Sequence, residues 1–274
     1  MLALSRKAGA IHGVAGTQRG GKAAALDSRG RSLALLTTAL VVSTLLLFLC
    51  SLVVGSRTIP LPDLFSALLH RGEAEIESIV WDLRIPRTFL AYFAGAAIAV
   101  SGVIAQSWTR NPLADPGFIG ITAGASFLVA LGTAVGIATS TGMRTALALL
   151  GAGVATTLVL GVSRRFQDPL TLVLVGAGVA AALSSGAMLI GLYSTDVLDS
   201  MRRWTIGSTF GRGPEDVAIA GIGLLVGLII AARVARPLDL LAMGEESSVA
   251  LGGSPSLTRR GAALSIVILS LIHI

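Results

Sequence analysis

Long stretches of this sequence carry no Asp, Glu, Lys or Arg, and that decides the solvent in which most of the chain folds. Such runs cover Ser32–Ser56, Thr88–Thr109, Pro116–Met143, Thr145–Ser163, Pro169–Thr195 and Val217–Ala232, and a seventh opens at Gly261 and continues to Ile274. A helix rising about 1.5 Å per residue needs roughly 20 residues to cross a hydrocarbon core about 30 Å thick. The first five runs approach or exceed that length. The Val217 run is shorter, but Pro214, Glu215 and Asp216 can form its first turn, where proline is tolerated and acids oppose the helix dipole. Six complete spans and part of a seventh are expected. Only 13% of the residues are charged, against about 25% in soluble domains. Helices are the expected element throughout, because a backbone facing lipid must satisfy its own hydrogen bonds and no short alternating strands occur.

If the spans alternate, one side receives residues 1–31 and the loops around Arg110, Arg164 and Arg233–Arg260. That side holds 13 Lys and Arg against 6 Asp and Glu, whereas the other holds 8 against 9, in a chain of net charge +6. The basic side, with the N-terminus, is expected to be cytoplasmic. The positive balance thus records topology, and no nucleic-acid partner is implied. Residues 1–31 are basic and rich in small residues and read as a disordered cytoplasmic tail, with residues 32–274 as the membrane domain. The apolar run after the tail is too long for the h-region of a signal peptide. Gly16–Ala23 nearly spells a P-loop, but Ala23 replaces the magnesium-binding hydroxyl and no strand precedes it, so it is read as chance.

Cys50 is the only cysteine, and His12, His70 and His273 lie far apart. Neither an internal disulfide nor a metal site is expected. Small residues recur at four-residue spacing in Gly95/Ala99, Gly120/Gly124, Gly132/Gly136 and Gly178/Ala182, which reads as close helix packing in a compact bundle. The six complete spans contain no Asp, Glu, Lys, Arg or His. An ionisable group at mid-membrane costs about 3 kcal/mol and is usually retained for ion coupling. Its absence argues for energy entering elsewhere and weakens, without removing, the alternative of an ion-coupled secondary transporter.

From Trp81 to Ser126 the chain reads WDLRIPRTFLAYFAGAAIAVSGVIAQSWTRNPLADPGFIGITAGAS. This resembles the FecCD-type permeases of ABC importers, the family that carries iron-siderophores, haem and vitamin B12. The resemblance rests on Arg84-x-Pro86-Arg87, Gly95-Ala96-Ala97, Ser101-Gly102, Gln106, Asn111-Pro112-Leu113-Ala114, Pro116, Gly120 and Gly124-Ala125. Trp204-x-x-Gly207-Ser208 and the segment Leu238–Gly253, LDLLAMGEESSVALGG, extend it over nearly everything after residue 55.

The resemblance implies an all-α polytopic membrane protein, a helical bundle of the FecCD and vitamin B12 importer type. The family has ten spans in two inverted halves, of which about six and a half are present. The family's Gly-x-Ile-x-Phe-Val-Gly-Leu and Pro-His segment is missing, so the chain is expected to be incomplete at its C-terminus. The implied activity is that of a non-catalytic permease subunit of an ATP-driven importer in the cytoplasmic (inner) membrane, with ferric siderophore as first cargo and vitamin B12 or haem as alternatives. The implied partners are an ABC ATPase, which would bind the ATP and magnesium, a periplasmic or lipid-anchored substrate-binding protein, and a second permease subunit in a homodimer or heterodimer.

By residue type alone, Arg84 and Arg87 fit interfacial anchors beside Trp81 as well as docking groups. The resemblance implies docking, through salt bridges to acidic residues of the binding protein, with Pro86 stiffening the approach to the second span. Asn111 and Leu113 sit in a loop held by Asn111-Pro112 and Asp115-Pro116, which by itself reads as a helix-breaking turn. The resemblance implies a cytoplasmic gate there, with a second gate element near Asp168–Thr171. Leu238–Gly253 is expected to form a short helix outside the membrane, capped by glycine. The resemblance makes it the coupling segment that enters a groove of the ATPase, with Leu241, Gly244, Glu245, Ala250, Leu251 and Gly252 as its contacts.

Overall fold

The computed structural model describes residues 31–163, 169–199, 207–209 and 211–271, and every regular element among them is helical. The tail over residues 1–30, Asp168 and Trp204 lie outside the described residues. The chain divides into two units, Met1–Gly72 and Glu73–Ile274.

The first unit contains α1, Arg31–Val53, a 23-residue apolar helix long enough to span a membrane. Leu35, Leu40 and Leu47 along it are all more than half exposed, a surface suited to lipid rather than water. The short α2, Leu61–Leu68, follows with Pro62 in its first turn and buries Leu64 and Ala67.

The second unit opens on a single helical stretch, Ala74–Thr109, of 36 residues. It comprises α3 (Ala74–Ser78), a π-helical turn (Ile79–Arg84) and α4 (Ile85–Thr109). Arg84 and Arg87 therefore lie within a continuous helix rather than on a separate approach to it. The π turn accounts for the continuity. Pro86 lacks an N–H and its ring opposes a regular α-helical interior, and the register slips by one residue just before it, where the Ile85 amide donates to the Val80 carbonyl five residues back. The Thr88 hydroxyl donates to the Arg84 carbonyl at 2.8 Å, satisfying a buried side-chain polar group within the helix itself.

The 28-residue uncharged run Pro116–Met143 does not become one long helix. It yields a 3₁₀ turn (Pro116–Ile119), the 14-residue α5 (Ile121–Ala134) and a turn before the next helix. Gly120 and Gly136 set these limits with φ of 74° and 76°, a left-handed conformation open to glycine and costly inside a helix of L-residues. Then come α6 (Thr141–Ser163), α7 (Pro169–Gly191), a helical turn over 195–199 and α8 (Pro214–Ala242). As expected, α8 begins at Pro214. The Asp216 carboxylate accepts the Gly213 amide at 2.9 Å and pairs with Arg212 at 3.2 Å, closing its first turn. The six-residue α9 (Glu245–Ala250) and α10 (Pro255–Leu271) complete the described chain. Among the described residues, five helices have the length and apolarity to cross a membrane, and α5 is a shorter apolar helix.

One core joins α4, α5, α6, α7, α8 and α10. Ile104 and Trp108 of α4, Ile121 and Val129 of α5, Ala152 and Val159 of α6, Leu172 of α7, Leu238 of α8, and Ile266 and Leu269 of α10 belong to it. Packing without a hydrophobic drive between helices depends on close backbone approach and shared hydrogen bonds. Of the four spaced small-residue pairs, Gly124 and Gly132 sit at tight contacts, whereas a methyl on Gly95 or Gly178 would meet no atom within 4 Å. Between α8 and α10 the Ser265 hydroxyl donates to the Gly227 carbonyl at 3.0 Å in a buried position. Ser265→Ala should lower the thermal stability of the detergent-solubilised protein by about 0.6 kcal/mol, the mean worth of such an interhelical bond in a membrane.

Candidate functional site

The end of the bundle at which α4 and α8 both terminate brings together two groups of residues singled out in the sequence. α4 closes at Arg110, a non-glycine residue in the left-handed region with φ of 52°, and the Asn111 amide reaches back to the Gln106 carbonyl at 3.2 Å. Asn111 and Leu113 follow at once. The Asn111 side chain accepts the Leu113 amide at 2.9 Å, and the Asn111 carbonyl accepts the Ala114 amide at 3.1 Å, so the asparagine folds its own loop. Asp115 accepts the Gly117 amide at 2.7 Å and starts the 3₁₀ turn. The loop is thus stiffened by two side-chain caps as well as by Pro112 and Pro116, and it holds Leu113 outward, 88% exposed.

The segment Leu238–Gly253 departs from the expected single short helix. Leu238–Ala242 are the last residues of α8, which at 29 residues is about 44 Å long and exceeds the roughly 30 Å core. Pro237 lies inside α8 without ending it, because the helix continues through the following turn. The chain breaks at Met243–Gly244, and α9 starts with Gly244 at φ 116°. Glu245 and Glu246 occupy the first turn of α9, where negative charge opposes the helix dipole. At its other end the Gly252 amide donates to the Val249 carbonyl and the Gly253 amide to the Ser248 carbonyl, a glycine-closed terminus as expected. Ser248 is buried beneath this return, while Glu245, Ala250, Leu251 and Gly252 are exposed and Leu241 is buried. The Glu245 carboxylate also pairs with Arg259 of α10 at 2.8 Å; both side chains are exposed, so the pair orients α9 more than it stabilises it. Met243, Val249 and Leu251 present apolar side chains on the same segment, each more than half exposed.

The two groups are physically joined. The Arg110 guanidinium donates to the Leu241 carbonyl across 131 residues of sequence. Leu241 is one of the last residues of α8, where the dipole favours a cation, and its carbonyl accepts the Gly244 amide at 3.1 Å as well as the guanidinium. The same contact puts the ends of α4 and α8 on one side, as the charge distribution required. Sequence reasoning missed Arg110 as a contact, since nothing near it in the chain points to Leu241. It also missed the partnership of Glu245 with Arg259.

Arg84 and Arg87 are placed elsewhere, between the π turn and the first turn of α4. Arg84 is 4% exposed and Arg87 is half-buried, so the two differ in their access to solvent. Of the second gate element, Asp168 lies outside the described residues and Pro169–Thr171 begin α7.

Comparison with known proteins gives these arrangements a family. The chain is 34% identical over 241 residues to the ferric enterobactin transport system permease protein FepD of Escherichia coli K12, covering 85% of this chain and 72% of that protein. It is 31% identical to the iron(3+)-hydroxamate import system permease protein FhuB of Bacillus subtilis 168, covering 80% of this chain and 58% of the relative. With the vitamin B12 import system permease protein BtuC of Klebsiella pneumoniae it shares 32% identity, over 78% of this chain and 62% of the relative. The chain therefore spans between 58% and 72% of the length of these relatives. In fold it is similar to a metal-chelate type ABC transporter solved in an inward-facing conformation, with a TM-score of 0.74, 24% identity, and coverage of 86% of this chain and 74% of that one. The FecCD transport family matches residues 43–274, and this multi-pass, all-helical membrane chain belongs to it.

Proposed function

We propose that this chain is the membrane permease subunit of an ATP-driven importer and that its cargo is a ferric siderophore. The observation that carries the reading is the joining of the 110–115 loop to the end of α8 at one end of the bundle. A loop that can close a pathway is there bonded to a segment that offers Met243, Val249 and Leu251 to a neighbour. Exposed apolar side chains beside charged ones beyond a span fit a protein partner better than water. That partner is an ABC ATPase, which binds ATP and magnesium, so this chain needs no nucleotide site and performs no bond chemistry. The side of the bundle bearing Arg110 and α9 faces the cytoplasm, the N-terminus is on that side, and the membrane is the cytoplasmic one. A periplasmic or lipid-anchored binding protein delivers cargo at the opposite face near Arg87, and a second permease subunit completes the pathway. ATP binding and hydrolysis then shift helix packing between two access states. Iron as cargo is supported by the ferric enterobactin, hydroxamate and dicitrate permeases among the relatives, against vitamin B12 for another.

The test is uptake of radiolabelled ferric siderophore into vesicles bearing the transporter with its ATPase and binding protein. Uptake should require ATP, persist when ion gradients are collapsed, and be competed by unlabelled ferric siderophore but not by cyanocobalamin. Uptake driven by an ion gradient without ATP would overturn the ABC assignment, and competition by cyanocobalamin alone would overturn the cargo.

A further inference from the structure

The left-handed residue that ends α4 is an arginine, and its backbone gains nothing from the choice. Glycine adopts that conformation freely and asparagine more readily than most side chains, so helix closure alone favours either over arginine. What arginine adds is reach. The backbone of Arg110 is fixed by α4 through the Asn111-to-Gln106 bond, while its guanidinium holds the Leu241 carbonyl of α8. One covalent bond separates Arg110 from the loop of Asn111 and Leu113. On the other side, two residues separate Leu241 from Gly244, where α9 begins. Leu241 is itself buried, so displacement of the α8 terminus moves its carbonyl with the helix rather than independently of it. A guanidinium on a helix C-terminal carbonyl is a charge-assisted bond, directional and strengthened by the dipole.

We propose that Arg110 is a positioning residue, a strut that passes movement of the α8–α9 junction to the 111–113 loop. This rests on the importer reading above and adds to it the group through which the ATPase-facing segment acts on the loop. In a purely structural role Arg110 would serve only to end α4, and glycine would serve as well or better. In the strut role glycine ends the helix but severs the connection.

The experiment compares Arg110→Gly, Arg110→Asn and Arg110→Lys in the assembled transporter in vesicles, with ATP hydrolysis and cargo uptake measured together. Arg110→Gly and Arg110→Asn keep a residue suited to the left-handed turn, and asparagine is too short to reach Leu241. Both should hydrolyse ATP at near the parent rate while the ATP consumed per cargo imported rises at least fivefold. Arg110→Lys, which retains a cationic donor, should recover part of the coupling. A second reading uses Leu113→Cys in a Cys50→Ser background. Its labelling by an impermeant maleimide should change on adding ATP when Arg110 is present and stay constant with Arg110→Gly. Parent-like coupling ratios and ATP-dependent labelling in the glycine and asparagine variants would overturn the strut. Absence of ATP-dependent uptake by the parent transporter would instead overturn the importer reading, so the two failures are distinguishable.

Discussion

Gly151→Ala should be among the most damaging single substitutions in the chain. Gly151 of α6 and Gly124 of α5 face each other backbone to backbone. A methyl on Gly151 would overlap the Gly124 carbonyl oxygen and stand 2.9 Å from the Leu128 Cβ; a methyl on Gly124 would overlap the Gly151 carbonyl and stand 2.5 Å from the Ala155 Cβ. Neither obstacle is the flexible end of a side chain, so relief requires the two helices to move apart. Overpacking of a well-packed core costs about 1–3 kcal/mol and sometimes more, and here lipid supplies no hydrophobic drive to hold parted helices together. The effect should reach or exceed the top of that range. Gly153→Ala is the control, because two residues along α6 the added methyl meets no atom within 4 Å, and alanine improves helix propensity. Thermal unfolding in detergent should show a large loss for Gly151→Ala and none for Gly153→Ala. Equal stability of the two variants would refute this packing of α5 on α6.

The contrast between these glycines shows which parts of the fold are legible in the sequence. Four-residue spacing marks positions where helices can approach, and Gly124 and Gly132 are such positions. Spacing does not say which side of a helix meets a neighbour: Gly95/Ala99 and Gly178/Ala182 share it with Gly151/Ala155 and Gly227/Ala231, yet a methyl meets nothing at Gly95 or Gly178 and a neighbouring helix at Gly151 and Gly227. In the same way, uncharged runs locate spans because burying charge in lipid is costly, yet charge does not report helix ends inside a run. Pro116–Met143 is one run to hydropathy and one short helix to the backbone, since Gly120 and Gly136 turn left-handed. Pro86 shows the converse: in the sequence it reads as stiffening an approach that precedes the span, but a π turn absorbs it and one helix runs through. At the candidate site, the local motifs Asn111-Pro112-Leu113 and Gly244–Gly252 were visible because turns and caps are built from neighbouring residues. The Arg110 bond to Leu241 was not, because a contact across 131 residues leaves no local trace.

Arg84 and Arg87 look equivalent in the sequence and should behave differently when their charge is reversed. At 4% exposure Arg84 lies within the fold, and Arg84→Glu replaces its long side chain with a shorter one that leaves a carboxylate largely out of water and the space of the guanidinium unfilled. Burying a carboxylate without a set of hydrogen bonds built for it costs several kcal/mol, a large fraction of the total stability of a typical domain, so the variant should accumulate poorly and unfold at lower temperature. Half-buried Arg87 leaves part of its side chain to solvent, and Arg87→Glu should leave abundance and unfolding unchanged. If Arg87 meets an acidic group of the binding protein, as proposed, reversal replaces attraction with repulsion at the rim of an interface. Charges there act mainly on encounter rate and register. Association of the binding protein with Arg87→Glu should slow about tenfold or more at low salt, and the deficit should shrink as ionic strength rises past the point where the Debye length falls below about 8 Å. Abundance, unfolding temperature and association rate at two salt concentrations separate the cases. Unaltered association with Arg87→Glu would remove it from the docking surface, and a stable, abundant Arg84→Glu that binds weakly would transfer the docking role to Arg84. The proposed interface would then require the π turn to deliver a buried arginine to its partner, a movement that Arg87, already reaching solvent, does not need.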